Sequence, residues 1–158
     1  MLLSDRRAFL LAALALTGCG FAPVHGRGSK SLIVRNAVLV QAPTNRVEFE
    51  LVRNLEVQLG QPTAKHYDLR YTLTVDEQVI VVSAAQEINR FSLVGVLNFS
   101  LVDADGVVFL RETAKSFTGY SATGTTVATE RSKRDAYDRL MVILAKQVLN
   151  HLWAVDRA

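Results

Sequence analysis

A single cysteine, Cys19, stands in the 158 residues, so no disulfide can form within the chain. Three histidines, His25, His66 and His151, are scattered along it without the spacing that holds a metal ion. No glycine-rich phosphate loop joins a strand to a helix, and Gly119-Tyr120-Ser121-Ala122-Thr123 lacks the last glycine of a nucleophile elbow. Asp103 and Asp105 have the look of a carboxylate pair, but a hairpin turn accounts for both. The formal charge of +3 is a mild excess with no clustered basic face, which excludes the signature of a nucleic-acid binder. Repeats and low-complexity tracts are absent, and beyond the N-terminus no apolar run is long enough to enter a bilayer. The chain therefore reads as non-enzymatic, with no cofactor and no metal.

The N-terminus is different. Asp5-Arg6-Arg7 precedes an unbroken apolar run from Ala8 to Leu16, and small residues follow, as in a secretory signal. The run ends Leu16-Thr17-Gly18-Cys19, which is similar to the bacterial lipobox, where the cysteine sulfur takes a diacylglyceryl group and becomes the first residue of the mature chain. Residues 1–18 are then a lipoprotein signal peptide. Multiple acyl chains give stable membrane residence where one does not. Gly20 after the cysteine permits sorting to the outer membrane. Residues 19–31, rich in Gly, Pro and Ser, form a lipidated tether, and 32–158 a single domain large enough to bury a core.

Within the domain, Ser31 to Gln41 predicts a first strand, doubled in its apolar pattern, covered on both faces or bulged at Asn36. Ala42-Pro43-Thr44 breaks it, and Asn45 with Glu48 makes a capping-box-like start to a helix. Val47, Leu51, Val52, Leu55 and Leu59 give that helix one apolar face, and Gly60 with Pro62 ends it, Gly60 as an αL residue. Strict alternation from Tyr67 to Val81 predicts a long half-buried antiparallel strand. Glu77 falls on its apolar parity, so a bulge is expected there, or a strand end running past the core.

Ser83 to Asn89 reads as a turn, and Phe91, Leu93, Leu97, Phe99 and Leu101 as a third strand with Gly95 on the same face. Asp103-Ala104-Asp105-Gly106 is a hairpin turn, and Val107 to Thr118 returns as a fourth strand. Gly119 to Thr129 is a polar loop, with Thr129 capping a last helix from Glu130 to Trp153. That helix buries Ala136, Leu140, Ile143, Leu144, Val148 and Leu152. The order β-α-β-β-β-α predicts an α+β two-layer sandwich, a four-stranded mixed sheet with two helices packed on one face.

Arg90 before the third strand, and Arg131, Lys133 and Arg134 at the start of the last helix, flank two loop regions. For any one of them a solvated face is the simpler account. Cations near a helix N-terminus oppose its dipole, and a phosphate-bearing ligand is one use for them.

Leu16-Thr17-Gly18-Cys19-Gly20-Phe21-Ala22-Pro23, the element order, and the run from Phe91 through Leu101-Val102-Asp103 to Arg131-Ser132-Lys133-Arg134-Asp135-Ala136 and the final amphipathic helix together resemble the LptE-type lipopolysaccharide-assembly lipoproteins. The resemblance implies a lipoprotein on the periplasmic side of the outer membrane, plugging an LptD-type β-barrel translocon and assisting lipopolysaccharide insertion. It also implies lipopolysaccharide binding by basic residues at one end of the sheet, here Arg90, Arg131 and Lys133. The turn at 83–89 carries no Lys or Arg, unlike the family's. The alternative is another periplasmic lipoprotein, an activator of a cell-wall synthase or an accessory subunit of a lipid transporter.

Overall fold

The computed structural model describes residues 36–63, 66–82 and 88–155, so the signal, Cys19 and the tether lie outside the described residues. The described elements are β1 (Val38–Val40), α1 (Arg46–Leu59), β2 (Tyr67–Val82), β3 (Ile88–Asp103), β4 (Val108–Ser121) and α2 (Thr126–Val155). They form one sheet in the order β1-β2-β3-β4. β1 runs parallel to β2, and the rest is an antiparallel meander. A parallel pair needs a crossover connection, which α1 supplies.

The core is a single cluster drawn from the two helices and one face of the sheet. Cross-strand rows set that face: Leu69 pairs with Leu101, Tyr71 with Phe99, Leu73 with Leu97 and Val75 with Gly95. Gly95 is a point of close approach between sheet and helix, because a Cβ there would lie 3.0 Å from Leu144 Cδ1 and 3.1 Å from Leu140 Cδ2. The missing side chain lets α2 settle onto β3. The opposite face of the sheet is mainly polar, with Arg70, Thr72, Thr74, Asp76 and Gln78 exposed along β2.

The first helix matches its sequence pattern. Asn45 Oδ1 accepts from the Glu48 N–H at 2.9 Å, and the Glu48 carboxylate reaches back to the Thr44 N–H at 2.7 Å, one residue earlier than in a strict capping box. Leu51, Val52, Leu55 and Leu59 are buried. Gly60 ends the helix at φ 76°, ψ 168°, so it takes positive φ with an extended ψ rather than the αL geometry expected. The reason is its neighbour. Asn36, itself at φ 60°, donates its N–H to the Leu59 carbonyl at 2.7 Å, and a Cβ on Gly60 would fall 1.9 Å from Asn36 Oδ1.

Several boundaries differ from the expectations. The first strand is described only over Val38–Val40, preceded by a turn at Asn36-Ala37, with 31–35 outside the described residues. Val38 and Val40 are buried and Leu39 exposed, so this part alternates rather than being covered on both faces. β2 pairs with β3 continuously through Glu77; its register shifts lie between Val79 and Val82, where Val79 and Ile80 are exposed. The strand thus outruns its helical cover, the second of the two expectations for Glu77. Ile88 and Asn89 belong to β3, which shortens the expected turn, and 83–87 lie outside the described residues.

β4 continues to Ser121 where a loop was expected from Gly119. Pairing of Tyr120 with Phe91, their rings stacked at 5.0 Å, overrides the local Gly/Thr/Ser composition. α2 begins at Thr126 instead of Glu130, and Thr125 is the cap, its Oγ1 accepting from the Ala128 N–H at 3.3 Å. Thr129 stands one turn inside.

Ile143, expected in the core, is 37% exposed, whereas Met141, Ala145 and Leu149 are buried. Two adjacent rows of α2 are covered. Leu140 and Leu144 face Gly95 of the sheet, and Ala145 and Leu149 line a groove with Asn54 and Gln58 of α1. Packing against α1 rotates the buried arc away from Ile143.

Candidate functional site

The sequence-predicted basic residues lie towards one end of the sheet, where β3 begins, β4 ends and α2 starts, but they do not gather in one pocket. β4 pairing brings Ser121 opposite Arg90. Arg90, Tyr120, Ser121, Ser132, Asp135 and Arg139 line a polar groove there. Arg139 joins the groove without any mark in the sequence as a site residue. It pairs with Asp135 and donates from Nη2 to the Gly119 carbonyl at 3.2 Å. The Asp135–Arg139 spacing of four is legible in the sequence; the contact with Gly119 needed the fold. Arg131 lies in a separate hollow with Val127, Glu130 and Arg134. Arg90, Arg131 and Arg134 are all exposed.

Lys133 is placed differently. Its ammonium sits 2.7 Å from Glu77 Oε2, and the other Glu77 oxygen accepts from the Tyr120 hydroxyl. The network ties α2 to β2 and β4. Burial on its own would raise the Glu77 carboxyl, but the hydrogen bonds from Lys133 and Tyr120 and the Lys133 charge outweigh it and hold the group below the ordinary carboxylate value. The same hydrogen bond, against a smaller burial effect, raises Lys133. Burial and then Glu77 push the Tyr120 phenol up. Lys133 is a charge already engaged, and Arg139 is held by Asp135, whereas Arg90, Arg131 and Arg134 make no ion pair among the described residues.

Because α2 starts at Thr126, Arg131 to Arg134 lie beyond its first turn, where the helix dipole has largely fallen away. Their unfavourable setting at a helix start, inferred from sequence, is therefore removed.

Among the described residues no constellation for chemistry assembles elsewhere. Gly119-Tyr120-Ser121 lies in strand β4 rather than at a strand–helix turn. Asp103 Oδ1 accepts from the N–H groups of Asp105 and Val107, and Gly106 takes φ 84°, so the acidic pair builds a turn. His151 packs edge-on to Phe99, and His66 is exposed. Among the described residues no group of three potential metal ligands gathers, and no helix is long and apolar enough to cross a membrane.

No curated protein sequence matches this chain. Solved structures share its fold. A candidate lipoprotein of Caulobacter crescentus superposes with a TM-score of 0.67 at 20% identity, covering 84% of this chain and 99% of the other. Lipoprotein B of Nitrosomonas europaea gives 0.63 at 15%, covering 88% and 94%. Rare lipoprotein B of Shewanella oneidensis gives 0.60 at 10%, covering 77% and 95%. At such identities the likeness is one of fold. The family model described as LptE, lipopolysaccharide-assembly, matches residues 35–152, from the turn before β1 almost to the end of α2. With that match spanning nearly all of the described domain, the chain belongs to the LptE family of lipopolysaccharide-assembly proteins.

Proposed function

We propose that this chain is an outer-membrane lipoprotein, anchored on the periplasmic side through Cys19, that plugs an LptD-type β-barrel translocon and assists lipopolysaccharide insertion into the outer leaflet without catalysing a reaction. The observation that carries the reading is the family match across residues 35–152. The surface is compatible with it. Large barrels have polar lumens, and the sheet face away from the helices offers Arg70, Thr72, Thr74, Asp76 and Gln78 to such a wall.

At the other functional end, Arg90 and Arg131 are the groups proposed to receive the anionic phosphates of lipopolysaccharide. An exposed guanidinium is a bidentate phosphate donor. Lys133 adds positive charge to the same end while held by Glu77. The lipid anchor would raise the effective concentration of the plug at its barrel.

Pull-down of the tagged lipoprotein from detergent-solubilised outer membranes, with mass spectrometry of the bound material, tests this. A stoichiometric large β-barrel is the expected result. Recovery of only a soluble synthase domain or an inner-membrane transporter would overturn the reading.

A further inference from the structure

The polar groove beside Arg90 holds a second guanidinium that the proposed function leaves idle. Arg139 lines the groove together with Arg90, Ser121 and Asp135, and all four side chains are exposed. Arg90 lies opposite Ser121, which makes it the diagonal neighbour of Gly119, a separation of roughly 7–8 Å. Arg139 Nη2 donates to the carbonyl of that same Gly119 at 3.2 Å. The backbone position that holds one guanidinium is thus the neighbour of the residue that carries the other, and arginine side chains can converge on a single anion lodged between them.

The groove is built before any ligand arrives. Thr118 Oγ1 donates to the Ala136 carbonyl at 3.0 Å, and Lys133 is paired with Glu77. These contacts fix α2 against β4 and β2 on either side of Asp135.

Asp135 fills the remaining side of Arg139. The two residues are four apart on one face of α2 and form an ion pair, a spacing that brings helical side chains together. The carboxylate is 65% exposed and the guanidinium 50%, so the contact is weak and open to exchange. A carboxylate offers a guanidinium the same pair of oxygens that a phosphate does. In the free protein Asp135 therefore stands where an anionic ligand would stand. Being exposed, it can turn out into water when displaced, with no burial to undo.

We propose that Arg139 is a further phosphate-binding residue at this end and that Asp135 is its internal competitor, a carboxylate that an incoming lipopolysaccharide phosphate displaces before Arg90 and Arg139 close on it together. This deepens the reading of Arg90 as a phosphate ligand given above, and rests on it. The competitor weakens capture and eases release. A site along a translocation path must bind well enough to admit its cargo and loosely enough to pass it on.

Capture of lipopolysaccharide micelles by the full mature chain with Cys19→Ala, which has no acyl chain of its own, reads the exchange. Asp135→Asn should raise capture about two- to fivefold, the span of an exposed ion pair, and Arg139→Gln should lower it. Asp135→Asn/Arg139→Gln should capture no better than Arg139→Gln alone, because the carboxylate acts through the guanidinium. Asp105→Asn makes the same change in net charge at the β3–β4 hairpin, the other end of the sheet, and should capture like the parent. On dephosphorylated lipopolysaccharide the gain from Asp135→Asn should disappear. Unchanged capture by Asp135→Asn, a gain that survives without Arg139, an equal gain from Asp105→Asn, or a gain on dephosphorylated micelles would each overturn the competitor. If Asp135→Asn is unchanged while Arg90→Gln captures less, the phosphate reading stands and only the competitor falls. Capture by Arg90→Gln equal to the parent's would bring down that reading, and the competitor with it.

Discussion

Lys133 on the last helix is held 2.7 Å from Glu77 on the second strand, and that carboxylate also accepts the hydroxyl of Tyr120. A cation that sequence alone assigns to ligand binding thus closes a seam between helix and sheet. Glu77, on the apolar parity of its strand, is accommodated there by two donors.

Stability should therefore depend on pH through this pair. The Glu77 pKa is depressed from 4.5, so its contribution is complete above that value and is lost as pH falls through the lower folded value. The Lys133 pKa is raised from 10.5, so its contribution is complete below that value and is lost as pH rises through the higher folded one. Glu77→Gln should lower stability by about 1 kcal/mol at neutral pH, a figure reduced for solvent screening of a partly exposed pair. Below pH ~4.5 the difference from the parent should shrink. Urea unfolding at pH 3, 7 and 9 measures it, and an identical gap at pH 3 and 7 would refute the assignment.

The phase of the last helix is open to a paired substitution. Leu140 is fully buried and Ile143 is 37% exposed. Leu140→Asp should cost several kcal/mol, on the order of 3–5, because an unpaired charge enters the core. Ile143→Asp should cost less than about 1 kcal/mol. Thermal melts that rank the two equally would show the arc to be misplaced.

Gly95 sets how closely the helix lies on the sheet. A valine there would drive its methyls into Leu140 and Leu144 and should destabilise by about 1–3 kcal/mol, as overpacking does. Gly95→Ala should cost less, since the leucine tips can yield by a few tenths of an ångström. Combining Gly95→Val with Leu144→Ala should recover part of the loss in a double-mutant cycle.

Gly60 joins two constraints, positive φ and the Asn36 side chain. Gly60→Ala should lose roughly 1–3 kcal/mol. Trimming the neighbour with Asn36→Gly should return only the steric share, because the backbone strain persists. Denaturation of both single variants and the double separates the two.

At the proposed ligand end, Arg90→Gln/Arg131→Gln should weaken capture of lipopolysaccharide micelles several-fold while leaving the melting temperature within a degree or two, since both side chains are exposed. Raising the salt concentration should narrow the gap between variant and parent. A matched loss of stability would show the arginines to be structural.

Periodicity and local chemistry by themselves determined most of this protein. The four-residue spacing from Val47 to Leu59, the strict alternation from Tyr67, and the Asp103–Gly106 turn each depend on contacts within a few residues. Element order, sheet and helix faces followed from them. What only the tertiary structure decided involves partners distant in sequence. Tyr120 is drawn into β4 by Phe91 and Glu77, which lie 29 and 43 residues away. The buried arc of α2 is set by contact with α1 as well as the sheet, so Ile143 turns out and Met141 turns in. Lys133 is occupied, and Arg139 is aimed at Gly119, because helix and strand meet where they do. A periodic pattern says which side of an element is covered, and the covering surface, for α2 the sheet and α1 together, decides the rest.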